Sequence, residues 1–235
     1  MQREDIDKVV IAAAGLRLEP RGDRWCHLSL CVIDAVFSIG ARYGSTWRAA
    51  RRYADHAALR PPTAPAKVVA DESVVQTQQP LDAFLADVGG MSDDEFADVL
   101  GNRQRTSTRG GILKAAAARE YAAILVDHGV VTLEDVAALL TDHWHIKLVE
   151  AALARVRGHG SGVRISYLWM LAGDDHHVKA DRMVIRWVEQ ALGRGVGAAE
   201  AAGIVQAAAE PLEVTPWALD HAIWRRQSGR TATAS

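Results

Sequence analysis

The chain has 235 residues, 49% hydrophobic and 24% charged, which excludes a disordered, collagen-like or disulfide-dense protein. Its 27 Lys and Arg stand against 29 Asp and Glu, a net charge of −2, so total charge announces no nucleic-acid partner. Two cysteines are too few to hold an iron–sulfur cluster.

The N-terminal MQREDIDKVVIAAAGLRLEP carries acids at its start and only a short apolar run. It reads as an amphipathic helix rather than a signal peptide, and no apolar run is long enough to span a membrane. A cytoplasmic protein is expected. Cys26 and Cys31 fall in one apolar stretch and are expected as buried small hydrophobes. LSLCVIDAVFSI, apolar nearly all round, predicts a central buried helix.

Ser45 is placed to cap TWRAARRYADHA, with Trp47, Ala50 and Ala54 on a buried face and Arg48, Arg51 and Arg52 outward. Residues 61–80 hold four of the seven prolines and no helical period, so they read as a long connection. Ser92 with Glu95, and Thr132 with Asp135, have the spacing of capping boxes. Gly173 and Gly193 fall where apolar runs end, as helix stops do, and Thr215-Pro216 is a helix start. With about ten helical segments and no convincing strand, the fold class expected is all-α.

Charge is unevenly spread. Asp82, Asp87, Asp93, Asp94, Glu95 and Asp98 occur in residues 82–98 without a base. Arg103, Arg105, Arg109, Lys114 and Arg119 occur in residues 101–119 without an acid, as do Arg155, Arg157 and Arg164 in residues 155–164. Charges act over roughly 8–10 Å, so local sign outweighs the total.

Trp144, Leu148, Val149, Ala152 and Val156 are read as building one helix that runs into Arg157. Gly158-His159-Gly160-Ser161-Gly162 then joins it to a second apolar helix, VRISYLWMLAG. Glycines admit close approach to backbone amides, and the second helix begins with unpaired N–H groups at a positive dipole end. Flanked by Arg157 and Arg164, this is a candidate phosphate cradle. A tight helix–helix turn with no ligand is the plain alternative. Asp181 follows Gly160 by 21 residues and opens the helix RMVIRWVEQAL.

VRGHGSG and VKADRMVIRWV together resemble the hairpin and Asp segments of the helix-hairpin-helix–Gly/Pro…Asp (HhH-GPD) superfamily of DNA base-excision glycosylases, the endonuclease III-like proteins. Upstream, LSLCVIDAVFSIGARYGSTWRAARRYA is similar to the family's first barrel helices. RGGILKAAAAREYAAIL and TPWALDHAIWRRQ resemble the segments before the hairpin and at the close of the fold. The likeness covers roughly residues 25–60 and 95–226. Arg157 and His159 replace the usual Pro and Val of the hairpin.

The resemblance implies two helical lobes, residues 25–172 ending in the hairpin and residues 1–24 plus 173–235, with the catalytic Asp181 at an interlobe cleft. It implies DNA-backbone contacts from Arg157, Gly158, His159, Gly160, Gly162 and Arg164. Ser38, Arg42 and Tyr43 fall where the family's base pocket begins, and Asn102, Gln104 and Arg105 lie in a loop expected to fill the gap left by a flipped base. Bifunctional members place a nucleophilic lysine where this chain has Gly162, so a monofunctional enzyme without efficient lyase action is expected. The partner implied is double-stranded DNA with a damaged or modified base, bound by a monomer that needs no membrane. No metal site or cofactor is expected beyond a monovalent cation at the hairpin. Tyr167 and Trp169 read as core. His143, His145, His159, His176 and His177 lack the spacing of a closed zinc site. Base-excision repair, removal of modified bases from phage DNA, a non-catalytic DNA-binding protein and a helical scaffold remain distinct readings.

Overall fold

A computed structural model describes residues 2–69, 71–159 and 162–229. The fold is all-α, with thirteen α-helices among the described residues and one short two-stranded ribbon. α1 (Arg3–Ala13) precedes β1 (Asp23–Trp25), α2 (Leu28–Ser38) and α3 (Tyr43–His56). β2 (Thr63–Pro65), a 3-10 turn at Ala66–Val68 and α4 (Glu72–Val75) lead to α5 (Leu81–Gly89) and α6 (Asp93–Leu100). α7 (Lys114–Asp127), α8 (Leu133–Thr141), α9 (His143–Leu153) and α10 (Val163–Ala172) follow. α11 (Arg182–Leu192), α12 (Ala198–Ala209) and α13 (Pro216–Gln227) complete the chain. Among the described residues, no helix is long and apolar enough to cross a membrane.

The chain divides into two compact units, Gly22–Gly173 and the combination of Met1–Arg21 with Asp174–Ser235. In the first, α2 is central, every residue from Leu28 to Phe37 being buried. α3, α7 and α10 pack around it, and the small side chains of Ala115, Ala117, Ala118 and Ala122 let α7 approach closely. Tyr53, Phe84 and Phe96 interlock edge to face nearby, with centroids 5.1–6.2 Å apart. Both cysteines are free and buried. In the second unit, Val9 of α1, Val184 and Val188 of α11, Ile204 of α12 and Ile223 of α13 form a separate core. Arg194 ties Asp5 to Glu200, holding α1 beside α12.

Local signals translate directly into helix ends. Both capping boxes form, Thr215 caps α13 over Pro216, and Gly173 and Gly193 end α10 and α11 with left-handed backbone.

Four readings are corrected. A strand pair exists, antiparallel with Arg24 opposite Ala64, but its three-residue strands are too short to show alternation. The connection 61–80 contains β2, the 3-10 turn and α4. α3 starts at Tyr43 with Arg42 as its N-cap, so Ser45 lies inside the helix. Trp47 is exposed rather than buried, because Thr46, Ala49, Ala50 and Tyr53 fill the buried face of α3, and the helix expected to run into Arg157 ends as α9 at Leu153, with Trp144 and Leu148 exposed and Val149 and Leu153 buried.

Candidate functional site

Within Gly22–Gly173, the loop before α7 is pinned at both ends. Asn102 Nδ2 donates to Ser45 Oγ at 3.2 Å, while its Oδ1 accepts from Gln104 N. Arg105 pairs in a bridge with Leu113 and donates to the Gly111 carbonyl. Thr106 Oγ1 donates to the Arg157 carbonyl at 2.8 Å, fastening the loop to the segment that follows α9. Asn102, Gln104 and Arg105 therefore all contribute to holding the loop together.

Lys114, the first residue of α7, is 2% exposed. Its ammonium donates to Phe37 O, Ile39 O and Gln104 Oε1 at 2.8–3.0 Å. It thus satisfies carbonyls at the C-terminal end of α2, where a cation also complements the helix dipole. Burial, followed by the nearby Arg164, lowers its pKa to about 8. Ser38, one residue beyond Phe37, turns its hydroxyl back to Ala35 O.

At the hairpin, Gly158 and Gly162 take positive φ values of 77° and 83°. Gly162 is the N-cap of α10 and offers no side-chain acceptor to the first amides of that helix. Gly160 lies outside the described residues. Arg157 is exposed, and the His159 ring lies 2.9 Å from the Tyr121 hydroxyl through Nδ1. Burial and then Arg164 hold the His159 pKa below its ordinary value.

Arg164 requires a correction. Expected to reach a DNA phosphate, it is 1% exposed, with its guanidinium 5.9 Å over the Tyr121 ring and one bond to the Gly158 carbonyl. Its place on the α10 face that also carries Leu168 turns it inward. It lies inside the unit and not on its surface.

Arg103 pairs with Asp94 and Asp98, and Arg119 with Asp93. The acidic and basic runs of the sequence therefore partly neutralise each other. Arg105, Arg109, Arg155 and Arg157 remain exposed, with Glu120 within electrostatic reach of Arg157. Arg42 and Tyr43, at the start of α3, are exposed as well.

In the other unit, half-buried Asp181 is the N-cap of α11. Its Oδ1 accepts from Met183 N at 2.8 Å and Val184 N at 3.3 Å. Asp220 of α13 is buried next to this turn, and its Oδ2 accepts from Lys179 N at 2.6 Å. Burial raises the Asp220 pKa to about 7, Asp181 adding to the rise and Lys179 opposing it. Among the described residues, no group of three His, Cys, Asp or Glu is placed to hold a metal ion.

The model of a family described as "Domain of unknown function (DUF8548)" matches residues 6–228. The chain belongs to the DUF8548 family. No curated protein and no solved structure matches it.

Three side chains of this DUF8548 chain, absent from the sequence reading of the site, organise it. Lys114 reads in sequence only as one charge in a basic run, although it shares a helical stripe with Ala118, Tyr121 and Leu125 and so points inward. Tyr121 lies on the same stripe. Thr106 carries no sequence signal, because its partner Arg157 is distant along the chain.

Proposed function

We propose that the protein is a monofunctional DNA glycosylase of the helix-hairpin-helix type, acting on a damaged or modified base. One observation carries this reading. Residues 35–54, 101–119 and 151–173 each contain no Asp or Glu, and all three meet in one unit. Asn102 to Ser45, Lys114 to Ile39 and Thr106 to Arg157 are the bonds that join them. Segments with arginines and no acids of their own suit a phosphate backbone, although Glu120 lies within electrostatic reach of Arg157, and a glycine turn adds amide donors.

In the proposed reaction the hairpin and arginines hold the strand, and the target nucleotide leaves the stack at a cost of a few kcal/mol. Cleavage of C1′–N builds positive charge on the sugar. The Asp181 carboxylate, with Oδ1 on backbone amides, offers Oδ2 to stabilise that charge and orient a water. Water adds at C1′, and its proton leaves with the base. Gly162 supplies no amine, so no Schiff base forms at that position. Both base-excision repair and removal of modified bases from phage DNA use this chemistry. The use of Asp181 as a helix cap favours a second reading, a DNA-binding protein that retained the hairpin without the reaction.

Incubation with genomic DNA from several sources, including phage DNA with modified bases, followed by mass spectrometry of released bases, tests the proposal. Wild type is expected to release a specific base, and Asp181→Asn is expected to lose that release while folding normally. Release retained by Asp181→Asn overturns the assignment. Binding without release by wild type selects the second reading. DNA affinity that does not fall with rising salt removes both.

A further inference from the structure

The start of α3 carries an unusual surface. Tyr43, Trp47 and Arg51 stand four residues apart on one helix, so they form a continuous stripe. Tyr43 is 36% exposed and Trp47 42%, two large aromatics turned to solvent on one helix. The Arg51 guanidinium sits 5.4 Å over the Trp47 ring, which fixes the indole without covering it. Arg48 reaches back along the helix towards Gly44, its Nη1 being 3.7 Å from where a Cβ there would lie. Arg42 is the exposed N-cap.

Charge on this face is uncompensated. Arg42, Arg48 and Arg51 make no ion pair among the described residues. The nearest acid along the helix, Asp55, is paired with Arg60. The acids of the neighbouring helix α6, Asp94 and Asp98, are paired with Arg103. Arg52 is occupied by the carbonyls of Asp98 and Val99. A folded protein gains nothing from leaving the Trp47 indole in water beside arginines that make no ion pair. A polyanion that carries flat apolar rings matches both features at once, the backbone meeting the arginines and the rings stacking on the aromatics.

We infer that the Tyr43–Trp47–Arg51 face of α3 docks unpaired DNA nucleotides, through base stacking on Trp47 and phosphate contacts from Arg42, Arg48 and Arg51. The inference rests on the DNA reading above and deepens it, since a strand with unpaired bases is what a base-flipping protein creates. Acidic peptides lack the stacking rings, and a closed duplex hides its base faces. Single-stranded DNA is therefore the preferred form.

The test measures fluorescence anisotropy of a labelled single-stranded oligothymidylate, the same-length duplex, an oligouridylate and heparin, each at several salt concentrations. Wild type, Trp47→Ala and Arg48→Gln/Arg51→Gln are compared after thermal melts show that they fold alike. Trp47→Ala is expected to weaken single-stranded DNA binding about tenfold or more, with little change for duplex or heparin. The double arginine variant is expected to lower the slope of log affinity against log salt by roughly 1.4 for the single strand. An unchanged affinity of Trp47→Ala overturns the inference, as does an equal loss for heparin, which has no bases. Preference for oligouridylate overturns the assignment to DNA. If wild type releases no base yet binding depends on Trp47, the inference stands and the glycosylase reading falls. If bases are released with no dependence on Trp47 in any arm, the reverse holds.

Discussion

Thr106 Oγ1 occupies the space in which a side chain at Gly158 would begin: a Cβ on Gly158 would collide with that oxygen. The same hydroxyl donates to the Arg157 carbonyl and accepts from Ile112 N, so loop and hairpin are fitted around one atom. Gly158 also has φ of 77°, where other residues are strained. Gly158→Ala is expected to cost about 1–3 kcal/mol from strain and overpacking together. In a Thr106→Ala background the same change should cost somewhat less, because the clash with Oγ1 is removed while that with the Cβ of residue 106, at 2.7 Å, remains. Urea denaturation of the four proteins measures the coupling, and strict additivity contradicts it.

Lys114 makes stability depend on alkaline pH. Its folded pKa of about 8 lies below the unfolded value of 10.5, so the unfolded chain binds the proton more tightly between them. Stability therefore rises as pH increases from about 8 to 10.5, by at most about 3 kcal/mol. Lys114→Met should lack that rise. The difference in unfolding free energy between wild type and variant across this window is the readout, since other lysines and tyrosines cancel in it.

Asp220 acts in the opposite sense. Its folded pKa of about 7 stands above the ordinary 3.8, so the native state holds the proton that the unfolded state releases. Its contribution is present below pH 3.8 and is lost as pH rises towards 7. Asp220→Asn keeps an acceptor for Lys179 N and removes the titration. The variant should be more stable than wild type above pH 7, by an upper bound on the order of 4 kcal/mol. His221, held down to about 4 by burial, titrates with the reverse sign in an overlapping window, and it cancels in the comparison.

The two faces of α9 should answer oppositely to truncation. Trp144 is 81% exposed, whereas Leu153 is fully buried. Trp144→Ser is expected to change stability by no more than about 0.5 kcal/mol, and Leu153→Ala to cost about 2–5 kcal/mol. Chemical denaturation separates these values readily. A large loss from Trp144→Ser contradicts the outward orientation of that side.

Helix ends were legible because their signals are local. Ser92 and Glu95, Thr132 and Asp135, and Thr215 with Pro216 satisfy backbone amides within one turn, whatever surrounds them. Ser45 misled because a cap residue also needs an extended backbone, which falls at Arg42. At the site, the glycine-rich segment and the unequal charge runs could be read from the chain. The inward turn of Arg164, the capping of α2 by Lys114 and the pairing of Arg103 with Asp94 and Asp98 could not.

Composition, periodicity and capping by themselves determined an all-α chain whose most apolar helix, Leu28–Ser38, is buried at the centre of its unit. Total charge, −2, left the partner open. Only the tertiary structure decided where that charge lies, by pairing Asp93, Asp94 and Asp98 with Arg119 and Arg103 and bringing acid-free segments together. It also decided which apolar side chains stay in water, Trp47 and Trp144 among them. The reason is physical. Capping and helix propensity act over one turn of chain, whereas burial and ion pairing depend on neighbours that are remote in sequence and near in space.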